Sequence, residues 1–131
     1  MKFVDLEGNV YRKDIRPYKR DGRKRSASKG QKELGRRLVN LFPNMTIYEE
    51  LPCFGTRMRL DFYIHDLKIA FEFDGDQHET YNPFFHGTKR NFIEQKYRDY
   101  NKAEWCTANS IRLVRVRPTD LDRLKELIHE S

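Results

Sequence analysis

The chain carries a group of carboxylates inside a segment that otherwise has the composition of buried β-structure. Asp61 lies in one apolar stretch, and Glu72 and Asp74 lie in the next, within Phe71-Glu72-Phe73-Asp74-Gly75-Asp76-Gln77-His78. A lone carboxylate in an apolar strand is costly unless a partner compensates its charge. Because these carboxylates occur as a set, a divalent metal ion is their simplest partner, and oxygen ligands suit Mg²⁺ or Mn²⁺.

A β-hairpin with a defined register brings the carboxylates to one face of a sheet. Two alternating stretches, 60–65 and 68–74, flank Asp66-Leu67 as a two-residue turn. This register sets Asp61 opposite Glu72, and side chains that alternate between faces put both on the face that also holds Asp74. Asp-Leu is unfavourable as such a turn, so the hydrophobic pattern of the other face supports the register: Phe62, Ile64, Ile69, Phe71 and Phe73.

The spacing of these groups also indicates how they would interact. Directly opposed strand residues have Cβ atoms about 5 Å apart, so the carboxylates raise one another's pKa and repel unless a cation binds. Gly75 lets the chain turn away from the strand, and His78 adds a group that exchanges protons near neutral pH. The alternative is a solvated acidic face on an edge hairpin, with His78 as an ordinary loop histidine.

The positive charge of the chain is concentrated at its beginning. The 131 residues carry a net charge of +6, and residues 1–29 hold ten Lys or Arg against four Asp or Glu. This predicts a basic N-terminal arm over 1–29 and one domain over 30–131. Basic clusters bind phosphate backbones, although a solubilising tail or localisation signal has the same composition. The candidate DNA-binding residues of the arm are Arg12, Lys13, Lys19, Arg20, Arg23, Lys24 and Arg25.

The cysteines and the apolar runs indicate the compartment. Cys53 and Cys106 lie far apart without C-x-x-C spacing, which argues against a zinc site and does not indicate a disulfide. Reduced thiols are typical of the cytosol. No apolar run approaches the ~20 residues of a membrane span, and the charged N-terminus is unlike a signal peptide. We therefore expect a cytoplasmic protein without a membrane partner.

The pattern of the remaining chain predicts an α/β domain. A helix runs from about Ser28 to Phe42 and ends at Pro43, with Leu34, Leu38 and Leu41 facing the core. Strand 47–51 precedes the hairpin, strand 111–116 follows a second helix, and Thr119 caps a last helix. A short hairpin within residues 2–11 also fits. The order gives a mixed β-sheet, an antiparallel hairpin plus a parallel strand, flanked by α-helices.

Two further segments carry candidate binding residues. In the second helix, residues 90–109, Ile93, Tyr97 and Tyr100 fall on one stripe. Lys96, Asp99 and Lys102 line one side of the same helix. The preceding loop, residues 75–89, is long and aromatic, as binding loops are. It suits stacking on nucleotide bases, and packing of its aromatic side chains on the domain is the alternative.

Taken in order, several of these elements match a known family. They are Asp61, the segment Glu72-Phe73-Asp74-Gly75-x-x-His78, the pair Arg98-Asp99, and the stretch from Trp105 to Val116. This set, over about Gln31 to Pro118, resembles the PD-(D/E)XK restriction-endonuclease-like superfamily. Within it, the chain is most similar to the very-short-patch-repair endonucleases and related homing and phage nucleases. This resemblance implies a bacterial or phage-infected host cell.

The resemblance implies a restriction-endonuclease-like core and a catalytic metal site. Asp61 matches the principal metal-binding carboxylate, and Glu72 and Asp74 lie on the strand that supplies further ligands. Glu33, which by itself has the pattern of a surface residue, matches a first-helix glutamate that completes the site. Asp74 also stands where the family's motif has a lysine, which favours a histidine-dependent variant.

The resemblance also implies roles for two groups outside the carboxylate strands. His78 matches a histidine that transfers a proton or positions the phosphate, and Asp99 matches the acidic residue near that histidine. The mismatch-recognition and structural-zinc features of the repair enzymes are absent, so recognition of a mismatched base is not implied.

These features together predict a Mg²⁺-dependent DNA endonuclease, with Mn²⁺ as a substitute. Lys96, Lys102 and the basic arm would hold the DNA backbone. One nick per site by a monomer is the more natural outcome, and a homodimer would cut both strands. The alternatives are a non-catalytic nucleic-acid-binding module and a structure-selective or junction-resolving nuclease on the same fold.

Overall fold

The computed structural model of the chain describes residues 1–22, 28–75 and 89–130. Two short antiparallel strands form an N-terminal hairpin, β1 (Lys2–Val4) and β2 (Val10–Arg12). The central sheet has the order β3 (Tyr48–Pro52), β4 (Arg59–Ile64), β5 (Ile69–Phe73) and β6 (Arg112–Val116). Its first three strands are antiparallel, and β6 joins β5 in parallel. The predicted mixed α/β sheet is confirmed.

Three α-helices accompany the sheet in the described residues: α1 (Lys29–Leu41), α2 (Lys89–Ala108) and α3 (Leu124–Glu130). The hydroxyl of Ser28 accepts the backbone N–H of Gln31 at 3.2 Å, which starts α1 where the sequence predicts it. Short 3₁₀ turns lie at Arg16–Tyr18 and Pro118–Arg123. None of the helices in the described residues has the length and apolar character needed to cross a membrane.

The start of the last helical segment differs from the prediction that Thr119 caps it. Pro118 begins the 3₁₀ turn, and the carboxylate of Asp120 accepts the backbone N–H of Arg117 at 3.0 Å. Because Asp120 is an ionised acceptor beside Arg117 and Arg123, its bond to that N–H is stronger than one a neutral hydroxyl would make.

The hairpin of β4 and β5 has the predicted register, with Phe62 opposite Phe71 and Ile64 opposite Ile69. The structure also shows how an Asp-Leu turn is accommodated. Lys68 adopts the left-handed conformation, with φ of 53°, and its N–H donates to the carbonyl of His65 at 3.1 Å. The positive φ therefore falls on the residue after the Asp-Leu pair, so neither of those residues is strained.

Each face of the sheet carries a hydrophobic layer. On one face, Leu34 and Leu38 of α1 are fully buried against Phe62 and Phe71, as predicted, and Leu124 of α3 completes the layer. Leu41 packs at the edge of this layer and is only partly buried. The aromatic side of the hairpin is thereby removed from water, which leaves the carboxylates for the other face.

The second face is covered by α2 and by the N-terminal hairpin. Phe3 and Ile15 are buried there, and the ring of Phe3 stacks on Trp105 with centroids 5.8 Å apart. The indole N–H of Trp105 donates to the carbonyl of Phe54 at 3.1 Å. The predicted hairpin within residues 2–11 is confirmed. Residues 1–22 are packed on the domain, so this part of the basic segment is not a free arm.

Helix α2 buries a different side from the one its apolar stripe indicates. Ile93, Tyr97 and Tyr100 are 59%, 69% and 62% exposed, whereas Trp105 and Cys106 are buried. The helix contacts the sheet through its second half, around Trp105 and Cys106. Residues three or four positions apart lie on the same side of a helix. That side includes Lys102.

We predict that Asn109 holds the N-terminal hairpin to α2. Its side-chain amide donates to the carbonyls of Val4 and Trp105, both at 2.9 Å, and its oxygen accepts the Val4 N–H at 2.8 Å. Asn109→Ala should lower the free energy of unfolding by about 2 kcal/mol, because buried backbone groups lose their partners. Urea denaturation measures this, with exposed Asn40→Ala as the control, and equal midpoints for the two variants would contradict it.

Candidate functional site

The ladder between β3 and β4 is interrupted at Asp61, and the ladder between β4 and β5 ends one residue short of it. Pairing of β3 with β4 runs through Glu49↔Phe62 and Leu51↔Leu60 but omits Asp61, and pairing of β4 with β5 ends at Phe62↔Phe71. Glu50, across from Asp61, has a φ of 50°. An extended strand does not use this conformation, so the interruption is built into the backbone rather than produced by fraying at a strand end.

Side chains replace the missing ladder bonds at this point. The backbone N–H of Asp61 donates to a carboxylate oxygen of Glu72 at 2.6 Å, and the N–H of Phe73 donates to a carboxylate oxygen of Asp61 at 2.8 Å. Each carboxylate is therefore fixed by the backbone of the neighbouring strand. The predicted juxtaposition of Asp61 and Glu72 is present, and the register of the hairpin produces it.

Lys102 brings a positive charge to this carboxylate pair from helix α2. Its ammonium group forms an ion pair with Glu72, and both side chains are largely buried, with 17% and 6% of their surfaces exposed. Burial alone would lower the pKa of Lys102, but the Glu72 carboxylate more than offsets it, so the pKa is raised and the lysine stays charged. Lys102 is thus a partner of Glu72 rather than a freely exposed phosphate contact.

The surroundings of Asp61 disfavour its ionised form. Burial, followed by the negative charge of Glu72, raises the pKa of Asp61 to about 7, against the opposing effects of the Phe73 N–H and Lys102. Removal of Asp61 from water is the larger cause, and the nearby charge of Glu72 adds to it. In the protein without a bound cation, a proton on Asp61 relieves the repulsion near neutral pH.

A second charged group lies beside the first and is organised by Arg115. This β6 residue donates through Nη2 to the backbone carbonyl of Asp99 at 2.9 Å. Its Nη1 lies 3.7 Å from a carboxylate oxygen of Asp74 and 3.9 Å from one of Asp99. Arg115 pairs in register with Glu72 across the parallel strands. The structure therefore brings the predicted residues Asp74 and Asp99 together through an arginine that the prediction did not include.

Glu33 takes part in a different cluster. Its carboxylate forms ion pairs with Arg36 and Arg37 on α1, and Arg37 also binds the carboxylate of Asp122 at 2.7 Å. Its ion-pair partners in the described part of the chain are therefore arginines of its own helix rather than the groups around Asp61 and Glu72. Its position at i,i+3 and i,i+4 from two arginines is that of a surface helix glutamate, which is the alternative that the sequence left open.

The predicted DNA-binding residues are dispersed over the described surface. Arg12, Lys13 and Lys19 are exposed, and Arg20 lies against α1 near Gly35. Lys96 is exposed and lies over the ring of Phe92. The remaining predicted site residues lie outside the described residues: His78, Arg23, Lys24 and Arg25. The loop 75–89 is outside them as well, except at its two ends.

Two site residues could have been found from sequence patterns that the prediction did not use. Lys102 precedes Trp105 and Cys106 by three and four residues, so it shares the buried side of α2. In β6, Val114 and Val116 are buried in the same layer as Phe62. Strand alternation therefore places Arg115 on the carboxylate face.

The carboxylates of the site differ in number from a metal cage made of protein ligands alone. Within residues 1–22, 28–75 and 89–130, no three His, Cys, Asp or Glu side chains are grouped so that they could hold a metal. Mg²⁺, however, commonly takes only one or two protein carboxylates and completes its shell with water and phosphate oxygens. Asp61 and Glu72 provide that number, and each already accepts a backbone N–H from the neighbouring strand. This number of carboxylates is compatible with a two-ligand site for Mg²⁺ or Mn²⁺.

Comparisons with known proteins identify viral relatives. The chain is 37% identical over 65 residues to "Uncharacterized protein 307L" of Invertebrate iridescent virus 6. It is 32% identical over 65 residues to "Uncharacterized protein 033L" of Invertebrate iridescent virus 3. It is also 36% identical over 72 residues to "Uncharacterized protein 094L" of Frog virus 3.

These matches cover part of each protein. They include 50%, 50% and 54% of this chain, but 33%, 34% and 46% of the respective relatives. No protein-family model matches the chain, and no solved structure matches it. The names of the relatives state no activity, so the similarity indicates viral relatives without indicating a reaction.

We predict that Asp61 makes the metal-free protein less stable as the pH rises. Because its pKa is raised to about 7 from 3.8, the folded state holds a proton that the unfolded state releases. Stability from this group therefore falls between about pH 4 and pH 7. Asp61→Asn should gain about 1–2 kcal/mol over wild type between pH 4.5 and pH 8, after discounting for partial solvent exposure.

Urea denaturation in EDTA at the two pH values measures this difference. Asp66→Asn, at an exposed turn position of the same hairpin, is the matched control and should follow wild type. A constant offset between Asp61→Asn and wild type at both pH values would show that Asp61 holds no extra proton.

We also predict that Lys102 and Glu72 are energetically coupled. Lys102→Met leaves Glu72 buried and unpaired, which should cost about 3 kcal/mol of unfolding free energy. Adding Glu72→Gln removes the unpaired charge and should restore part of the loss. Unfolding of the single and double variants measures the coupling, with exposed Lys96→Met on the same helix as the control. Additive effects of the two substitutions would contradict a direct ion pair.

Proposed function

We propose that the protein is a metal-dependent DNA endonuclease that hydrolyses phosphodiester bonds at the Asp61–Glu72–Lys102 group. The observation that supports this most strongly is the placement of two adjacent carboxylates and one lysine at a break in the sheet. The α/β sheet with its flanking helices is compatible with a restriction-endonuclease-like core, and that assignment is part of the proposal.

The charges of the group suit phosphodiester hydrolysis. A bound Mg²⁺ supplies charge for the scissile phosphate and lowers the pKa of a water ligand. Asp61 and Glu72 are the residues that would hold it. Their orientation is set by the backbone N–H groups of Asp61 and Phe73, and Lys102 binds the other oxygen of Glu72.

Lys102 would place a positive charge next to the scissile phosphate. Its raised pKa keeps the ammonium protonated at neutral pH, so it can donate hydrogen bonds to a phosphate oxygen or to the developing leaving group. The family's motif has a lysine at the strand position that Asp74 occupies here. In this proposal Lys102 supplies that positive charge from helix α2 instead. Arg115 positions Asp74 and Asp99 from the neighbouring strand, and in this proposal His78 moves a proton as the resemblance implies.

The biological setting of the proposed enzyme follows from its relatives. Since these are proteins of iridescent viruses and of Frog virus 3, we propose that the nuclease acts on DNA in a virus-infected cell. The matched stretches cover less than half of each relative, so the activity is proposed for this chain alone. Both a nick by a monomer and a double-strand cut by a homodimer are compatible with the arrangement.

The principal rival is a nucleic-acid-binding module without catalytic activity. The adjacent carboxylates of Asp61 and Glu72 favour the enzyme, because a protein that only binds phosphate has no need for two carboxylates next to its basic groups. A structure-selective nuclease would use the same residues, and it differs only in preferring branched over linear DNA.

We predict metal-dependent nicking of supercoiled plasmid by the wild-type protein. Nicking should require Mg²⁺ or Mn²⁺, stop in EDTA, and fall by at least about 100-fold in Asp61→Asn and Lys102→Arg, because each removes charge or geometry needed at the phosphate. Asp66→Asn and Lys96→Arg are the matched controls and should retain wild-type rates. Agarose gel analysis of plasmid and of labelled linear and branched DNA gives the rates.

A protein that binds DNA but cleaves none of these substrates with either metal would contradict the proposed activity and favour the binding module. Equal cleavage by Asp61→Asn and wild type would instead place the chemistry elsewhere in the chain.

A further inference from the structure

An open cleft of about 710 Å³ adjoins the candidate site. One wall is formed by the turn before β4 and the start of that strand, and the other by α2. The wall on the β4 side carries Arg57 and Arg59, and the wall on α2 carries Arg98 and Lys102. The cleft therefore has positive charge on two facing walls that are far apart in the sequence.

The cleft and the carboxylate site share a residue. Lys102 lines the cleft and also forms the ion pair with Glu72, so the cleft reaches the lysine that contacts the carboxylate pair. The arginines remain available to a ligand, since Arg57 and Arg98 are exposed and Arg59 is 65% exposed, with its carboxylate contact to Glu50 at a loose 3.8 Å.

The charge balance distinguishes this cleft from the other large one. The described lining of the 710 Å³ cleft includes four basic and no acidic side chains. A cleft of about 580 Å³ between α1 and the C-terminal residues has three basic and three acidic side chains, which include Arg37 and Glu33. The neutral cleft offers no net attraction to a charged polymer, whereas the basic cleft does.

We propose that this cleft binds the phosphodiester backbone of a DNA strand and places one phosphate against Asp61 and Glu72. Guanidinium groups bind phosphate oxygens in bidentate fashion, and Leu6 and Met58 supply apolar contacts for the sugars. The positive walls also offset the repulsion between the carboxylates and phosphate. This inference deepens the proposed function and rests on it for the identity of the strand as substrate.

The sequence did not reveal this surface, because Arg57, Arg59 and Arg98 are scattered among other elements. The composition pointed to the first 29 residues, and only Lys102 of the predicted set lines the cleft. The N-terminal hairpin contributes Leu6 to the cleft, so this segment shapes the surface through packing as well as through its charge.

DNA binding by Arg57→Glu, Arg98→Glu and the double variant tests the proposal. Fluorescence anisotropy with a labelled 20-nucleotide strand and its duplex, in EDTA and in the Asp61→Asn background, measures binding without cleavage. Each substitution should weaken binding by about 5–20-fold and reduce the slope of log affinity against log salt by about 1, as expected for a lost phosphate contact. Lys125→Glu is the control, because Lys125 is exposed beside the neutral cleft and the substitution changes the charge by the same amount. It should leave the affinity and the salt slope nearly unchanged.

Three outcomes overturn the proposal. They are equal weakening by Lys125→Glu, absence of DNA binding by the protein, and equal binding of poly-glutamate of matched charge, which would indicate an acidic protein partner. The result is separable from that for the nuclease. If binding depends on Arg57 and Arg98 but plasmid is never cut, the cleft stands and the activity fails. If plasmid is cut equally well by the cleft variants at limiting DNA, the activity stands and the cleft fails.

Discussion

The arrangement of the site depends on the exchange of hydrogen bonds between the carboxylates of Asp61 and Glu72 and the backbone of each other's strands. Both bonds exist because the ladder is interrupted at Asp61, where the backbone N–H is free to bind a side chain. An unbroken ladder would use that N–H between strands and leave the carboxylates without backbone donors. The break therefore sets both the position and the charge of the group.

The two hydrophobic layers hold this break in place. On one side, α1 buries the aromatic residues of the hairpin and fixes which side chains remain for the other face. On that other face, Trp105 and Cys106 anchor the second half of α2, and Lys102 is carried to Glu72 as a result. The N-terminal hairpin packs on Trp105 through Phe3, so the first residues of the chain support the helix that supplies the lysine.

Local patterns in the sequence were sufficient for the hairpin and for α1, because side-chain alternation, a serine cap and a leucine stripe act over a few residues. The prediction was weaker wherever a charge depends on a distant partner. Ile93, Tyr97 and Tyr100 formed the clearer stripe of α2, yet the helix is buried through Trp105 and Cys106. The charge of the N-terminal segment likewise concealed Phe3 and Ile15, two apolar residues that fix it to the core.

The energetics of the group argue that it is present for a reason other than stability. Apolar residues of similar volume are often as stabilising as a buried ion pair, and sometimes more so. Here one lysine faces two carboxylates, and burial of Asp61 together with the charge of Glu72 raises the pKa of Asp61 to about 7. A cation that brings charge to Asp61 when a phosphate is present would remove the repulsion, and the cost in the free protein would then favour binding.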